Sequence, residues 1–83
     1  MEERLRAILL HHFRGARVEL ERALGGTRIG GVLVWNGFAR KKQLSRQREL
    51  WDVLRHELPP EDLLQVGLVL TVTEEEQDLI VAD

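Results

Sequence analysis

The stretch from residue 35 to residue 58 constrains the fold most, because it combines a turn, a basic cluster and a helical pattern. Pro59 and Pro60 end that helix, since proline cannot donate to the helical ladder and the residue before it avoids the α region. We therefore expect a helix from about residue 44 to residue 58. Its apolar residues recur at helical spacing and share one face; they are Leu44, Leu50, Trp51, Leu54 and Leu58.

Positive charge is concentrated where this helix begins. The last ten residues instead hold five acids and no base, although the net charge of the chain is only −2. Such a separation of signs favours an oriented electrostatic field, and both a solvated face and a binding surface remain open as explanations. The cationic residues of the cluster are Arg40, Lys41, Lys42, Arg46 and Arg48.

At 83 residues the chain is long enough for one small domain with a modest core. It contains no cysteine, so disulfides, thiolate metal sites and a cysteine nucleophile are excluded. No stretch approaches the ~20 apolar residues of a membrane span. Glu2 and Glu3 stand where a signal peptide needs positive charge. We expect a cytoplasmic protein.

The other segments can be assigned from their periodicity and their turn residues. The alternation of Val18 and Leu20 with Glu19 and Glu21 predicts a half-buried strand, and the more apolar run IGGVLVW predicts a more buried one. The run VGLVLTVT, rich in β-branched residues, predicts a third strand. Gly25, Gly26 and Thr27 form the reversal between the first two strands, and Gly30 and Gly31 indicate a bulge or a close backbone approach. The expected elements are a helix at 2–14, strands at 16–24 and 29–35, a short helix at 60–65 and a strand at 66–73.

This order predicts an α+β fold of one domain over residues 1–83, with the topology αββααβ. The two-layer solution is a three-stranded mixed sheet with the helices packed on one face. A helical crossover precedes the third strand, which permits parallel pairing. The acidic tail, residues 73–83, is left unassigned between folded and disordered. We expect the long helix to pack on the sheet residues Val32, Val34, Leu68 and Leu70.

Nothing in the sequence has the pattern of a catalytic or metal site. There is no nucleophile–base pair and no pair of carboxylates, and His11, His12 and His56 stand at unrelated positions. The glycine pairs lack the lysine of a P-loop and the spacing of a dinucleotide-binding loop. We therefore expect no enzyme activity, no catalytic residue, no metal and no cofactor.

The element order and several local motifs resemble the BolA family, whose fold is similar to the KH domain of the second topological type. The family opens its second helix with phenylalanine, lysine and an Arg-His-Arg triplet; here Phe38, Lys41 and Arg46-Gln47-Arg48 stand at these positions. The strand RVELE and the ending TVTEEE are also similar to family motifs. The resemblance covers nearly the whole chain and implies a regulatory protein that binds a monothiol glutaredoxin.

The departures from the family pattern concern the histidines. Gln47 replaces the histidine of the triplet, and our alignment places Gln65 at or near the histidine that helps to hold a [2Fe–2S] cluster shared with the glutaredoxin. Arg40 replaces a glycine of the signature. The hairpin loop LGGTRIGG offers no ligand, and a glutamine amide is a poor ligand for cluster iron. We expect that this protein does not ligate the cluster.

Two functions follow as expectations. The first is a BolA-like interaction protein whose partner docks on the second helix. The second is a nucleic-acid-binding module in which cations contact phosphates and aromatic rings stack, although the acidic link HELPPED replaces the KH clamp loop. The oligomeric state is not specified by the sequence. The residues expected at the binding surface are Trp35, Phe38, Arg40, Lys41, Lys42, Arg46, Gln47 and Arg48.

Overall fold

A computed structural model describes residues 1–22, 26 and 28–81. Every element expected from the sequence is present, with ends that differ by a few residues. The predicted reversal falls largely on Gly25 and Thr27, which lie outside the described residues. The helices are α1 (Glu2–His12), α2 (Gln43–Glu57), α3 (Pro60–Leu63) and α4 (Glu74–Val81), and the strands are β1 (Arg17–Arg22), β2 (Ile29–Val34) and β3 (Val66–Val72).

The three strands form one mixed sheet in the order β1-β2-β3. Strand β2 pairs antiparallel with β1 and parallel with β3, which confirms the parallel pairing that the crossover through α2 and α3 permits. The β2–β3 register is irregular between Ile29 and Gly31. A side chain at Gly31 would collide with the main-chain carbonyl of Glu19. The glycine pair therefore marks both a bulge and a close backbone approach, as predicted.

The core lies between one face of the sheet and the helices α1 and α2. Leu50 and Leu54 of α2 are fully buried and Leu58 is nearly so, which confirms most of the predicted apolar face. Trp51 is half-buried and packs against this core. The main core residues from the rest of the chain are Leu5, Leu9, Phe13, Val18, Ile29, Leu33, Phe38, Val66 and Val69.

Part of the packing prediction is wrong. Leu44 is 64% exposed, and Leu68 and Leu70 of the sheet are 69% and 41% exposed. Val32 shares their face of the sheet, because it pairs with Leu70, whereas the neighbouring Leu33 points into the core. Strand β3 is apolar on both faces, so its alternation does not reveal which set faces inward. Val34 is buried, but it pairs with Val72 on the same outer face.

The acidic tail, which the sequence analysis left unassigned, forms helix α4 over residues 74–81. Its start is a capping box: the Glu76 N–H donates to the Thr73 hydroxyl at 3.2 Å, and the Thr73 N–H donates to the Glu76 carboxylate at 2.9 Å. Gln77 bonds Arg17 and Glu19, which lie on the outer face of β1. Helix α4 therefore packs on the face of the sheet opposite to α1 and α2, an addition to the predicted single helical layer.

Helix α2 begins earlier than expected. Ser45 lies inside the helix, and Lys42 is the N-cap residue. The backbone reaches this start through Phe38, which ends a short 3-10 turn (Asn36–Phe38) and is fully buried, and through Arg40, which has a φ of 68°. The buried ring and the left-handed residue fix where the chain enters the helix.

Among the described residues, no helix is long and apolar enough to cross a membrane.

Candidate docking surface on the second helix

One exposed row of side chains runs along α2 on its solvent side. It consists of Leu44, Arg48, Trp51 and Arg55, which follow one another at three- or four-residue spacing and so lie on one face. We call these four residues the α2 stripe. Leu44 is 64% exposed and Arg48 is exposed, while Trp51 is half-buried. Together with Gln47 they line a shallow groove. The stripe alternates an apolar and a cationic side chain, a composition suited to a protein surface that is apolar and acidic.

The cations that precede α2 extend this surface. Arg40, Lys42 and Arg48 are exposed, and none of them forms an ion pair with another of the described residues. Lys41, by contrast, bonds the Glu49 carboxylate at 2.9 Å and lies 5.8 Å from the centre of the Trp35 ring. Three of the predicted surface cations therefore keep their charge available for a partner.

Arg46 does not belong to this surface. Its side chain is only 5% exposed and forms a bidentate pair with Glu76 of α4, with N–O distances of 2.6 and 3.1 Å. The guanidinium also donates to the carbonyls of Lys41 and Thr71. This ion pair and the hydrogen bonds from Thr73 lower the pKa of the Glu76 carboxyl to about 2. Arg46 ties α2, β3 and α4 together and leaves little of its side chain exposed for a partner.

Gln47 is likewise held by the fold. Its amide donates to the Val69 carbonyl at 2.9 Å and to the Thr71 hydroxyl at 3.1 Å. Gln43, one turn earlier, donates to the Thr71 carbonyl and accepts from the Thr71 hydroxyl, each at 2.9 Å. The residue that stands in place of the histidine of the triplet thus fastens α2 to the main chain of β3.

Of the two aromatic residues predicted at the binding surface, one is buried and the other is partly exposed. Phe38 is fully buried and packs against Phe13 and Trp35, so it is not available for stacking on a base. Trp35 is half-buried, and its indole N–H donates to the Arg14 carbonyl at 2.9 Å. Only part of the Trp35 ring remains accessible.

The glutamines that we aligned with histidines of the BolA pattern, Gln47 and Gln65, are not suited to hold an iron–sulfur cluster. The amide of Gln47 is engaged as described, and Gln65 offers at best another amide oxygen, which is a poor ligand for cluster iron. Part of the hairpin loop lies outside the described residues. Within residues 1–22, 26 and 28–81, no three side chains of histidine, cysteine, aspartate or glutamate are grouped as metal ligands would be. His12 bonds Glu57 at a distance of 3.3 Å, between α1 and α2.

Three features of this site were not predicted from the sequence. Leu44 was placed in the core, although the spacing of Leu44, Arg48, Trp51 and Arg55 already indicated a common face. Asp52, one turn beyond Arg48, accepts from Arg55 at 2.5 Å. The pair between Arg46 and Glu76 was the third. The motif Thr73-x-x-Glu76 was the available signal for that pair, because it predicts a capped helix in the tail.

Comparisons with known proteins support the fold. The sequence matches no protein-family model and no curated protein. Among solved structures it is similar to BolA1 from Arabidopsis thaliana, with a TM-score of 0.70 over 89% of this chain and 92% of BolA1. The BolA domain of SufE1 from the same plant gives a TM-score of 0.67 with the same coverages. A BolA-like protein from Babesia bovis gives 0.52 over 95% of this chain and 86% of its own. Each is 23% identical to this sequence. The chain therefore has a BolA-like α+β fold.

Proposed function

We propose that this protein is a non-enzymatic interaction module that docks an acidic, partly apolar protein surface through the α2 stripe. The observation that carries the proposal is the alternation of Leu44, Arg48, Trp51 and Arg55 on the open side of α2. Arg46 lies on another face of α2 and is bound to α4, and Gln47, at the edge of the stripe, is bound to β3. A cytoplasmic monothiol glutaredoxin is the partner that the BolA resemblance suggests.

The docking does not require cluster ligands on this chain. Leu44 and Arg48 lie on the solvent side of α2, so a partner can bury them although the amide of the neighbouring Gln47 is already bound to β3. Apolar burial at the stripe supplies binding energy, and the nearby cations Arg40 and Lys42 steer an acidic partner and fix its register. The protein would then bind a glutaredoxin without sharing its cluster.

Titration of a purified monothiol glutaredoxin into this protein, followed by calorimetry, tests the docking. Arg48→Glu and Leu44→Asp should each raise the dissociation constant by ~10-fold or more, because each removes a central contact and adds charge of the wrong sign. Arg14→Glu is the matched control: Arg14 is also exposed but lies at the end of α1, and its reversal should change affinity by less than ~3-fold. Equal binding by wild type and by both stripe variants would refute the proposal.

A second measurement separates docking from cluster ligation. Mixing the protein with cluster-loaded glutaredoxin should leave the visible circular dichroism of the cluster unchanged while the two proteins co-elute. A new cluster spectrum would contradict the absence of ligands on this chain, and it would leave the docking itself supported.

Binding of nucleic acid is the second candidate, favoured by the exposed cations Arg40, Lys42 and Arg48, which form no ion pair within the described part of the chain. If they contact phosphates, the triple alanine variant should reduce the slope of log affinity against log salt by roughly 2–3. Binding with an unchanged slope would remove this surface from consideration. The net charge of −2 limits any such binding to this local patch.

A further inference from the structure

The outer face of the sheet is only half covered. Helix α4 lies over the end where Arg17, Val34 and Val72 are paired, and Val34 and Val72 are 2% and 6% exposed there. At the other end the same face carries Leu68 and Leu70, exposed by 69% and 41%. The uncovered half is therefore apolar, although it belongs to a sheet whose other face is fully packed.

This uncovered half exposes main chain as well as leucine side chains. Gly30, Gly31 and Gly67 line it beside Val32, so the backbone of β2 and β3 is accessible between the leucines. A side chain at Gly30 would meet the Leu68 carbonyl at 2.7 Å, which shows how closely the two strands approach. A surface held by strand pairing loses little conformational entropy when a partner covers it.

The rim of this surface carries one acid and one base. Glu21 of β1 and Arg28, which precedes β2, line the same depression, and both are exposed. Neither forms an ion pair with any other residue in the described part of the chain. A partner of uniform charge would repel one of the two. An identical surface rotated by 180° places its base opposite Glu21 and its acid opposite Arg28.

We propose that a second copy of this chain covers the outer face, in a face-to-face dimer with two-fold symmetry. The apolar residues Val32, Leu68 and Leu70 of both protomers meet at the centre. Glu21 of each protomer faces Arg28 of its partner, so that two equivalent ion pairs flank the contact. The α2 stripe lies on the opposite side of the sheet, so each protomer keeps its docking surface free.

The size of the surface sets the strength of this dimer. Three strands spaced ~4.8 Å apart, over about five residues of ~3.3 Å, give a whole face of roughly 250 Å², of which about half is uncovered. A stable interface buries ~800 Å² on each partner. We therefore expect a reversible dimer that is populated at roughly hundreds of micromolar and is monomeric at a few micromolar.

Sedimentation equilibrium between about 10 µM and about 1 mM tests the proposal. The average mass of the wild type should rise towards that of a dimer. Leu68→Asp should weaken the association ~10-fold or more, because it buries an unpaired charge at the centre. Leu44→Asp is the matched control, since Leu44 is exposed to a similar degree on α2 and should leave the association unchanged.

Charge exchange identifies the partner as a second copy. Glu21→Arg and Arg28→Glu should each weaken the association, whereas the double variant should restore it to within ~3-fold of the wild type. All these residues are exposed, and circular dichroism checks that each variant is folded. A monomeric mass across the whole range would overturn the proposal. Association that is insensitive to Leu68→Asp, or a double variant that does not recover, would also overturn it.

Discussion

At the scale of single residues, Arg40 carries a conformational cost that the sequence already hinted at. It has a φ of 68°, and the resemblance to the BolA signature had aligned it with a glycine. The left-handed region costs an L-residue roughly 1–2 kcal/mol, whereas glycine adopts it without a steric penalty. The exposed guanidinium makes no ion pair among the described residues, so no local contact compensates for the strain.

We expect Arg40→Gly to raise the free energy of unfolding by up to ~1 kcal/mol. The relief of strain exceeds the extra entropy of glycine in the unfolded chain, which is roughly 0.5–1 kcal/mol. Arg40→Ala is the control, because alanine retains the strained conformation and should give no gain. Denaturant unfolding at neutral pH measures both. A gain of equal size in the alanine variant would attribute the effect to the lost charge.

The ion pair between Arg46 and Glu76 makes stability depend on pH. The pKa of the Glu76 carboxyl falls from 4.5 to about 2 in the folded protein, mainly through its hydrogen bonds to Arg46 and Thr73. Because the folded pKa is the lower one, the stabilisation is fully present above about pH 4.5 and is lost as the pH falls through about 2. Glu76 is 41% exposed, so solvent screening reduces the effect.

Glu76→Gln should therefore be less stable than the wild type at pH 7, and the difference should shrink progressively between about pH 4.5 and about pH 2. Chemical unfolding at several pH values measures the difference. Glu75→Gln provides the control, because Glu75 is exposed on the same turn of α4 and lies outside the Arg46 network. A difference that does not change with pH would show that Glu76 stabilises α4 through packing alone.

At the scale of elements, local signals predicted most helices and strands, and tertiary contacts decided their ends. The Ser45-x-x-Arg48 sequence is an incomplete capping box, and Ser45 lies within α2. The complete one, Thr73-x-x-Glu76, does cap a helix. The start of α2 depends instead on where buried Phe38 places the chain. Such a constraint acts between distant residues, so a local pattern does not contain it.

Helix α2 is anchored by a few fully buried leucines. We expect Leu54→Ala to lower the free energy of unfolding by ~2–5 kcal/mol, because Leu54 is 0% exposed and its truncation leaves a cavity. Leu44→Ala on the same helix removes the same atoms from a side chain that is 64% exposed, and should cost less than ~0.5 kcal/mol. Urea melts of the two variants measure the contrast. Similar losses at both positions would refute the assignment of the two faces.

At the scale of the whole molecule, the order of elements and the mixed sheet follow from the sequence, but the orientation of the sheet does not. Strand β3 presents apolar residues on both faces, and one extra residue at the bulge shifts its register against β2. Nor did the sequence show that the basic cluster contains both a buried cation and exposed ones. Arg46 and Arg48 are two residues apart and lie on different faces of α2, but the contacts with β3 and α4 that bury Arg46 come from residues distant in sequence.

The free edge of β3 shows how the helices and the sheet depend on each other. The Val72 carbonyl faces β2, since it accepts from the Trp35 N–H at 2.8 Å. Carbonyls alternate along a strand, so those of Val69 and Thr71 point away from β2. Gln47 donates to the first of these and Gln43 to the second. An edge strand with unsatisfied carbonyls is a template for pairing with another chain. The two glutamine amides satisfy these carbonyls and so hinder such pairing.

We expect Gln47→Met to destabilise the protein by ~1–3 kcal/mol and to accelerate its aggregation. Methionine retains the shape of the side chain but donates nothing, so the Val69 carbonyl and the Thr71 hydroxyl each lose a partner. Arg48→Met is the control, because it introduces the same residue one position later, on the exposed side of α2. Its unfolding free energy should change by less than ~0.5 kcal/mol. Unfolding free energies and light scattering, compared at temperatures where both variants are equally native, separate edge pairing from simple loss of stability. Equal scattering by the two variants under those conditions would show that Gln47 is not needed to prevent the β3 edge from pairing with another chain.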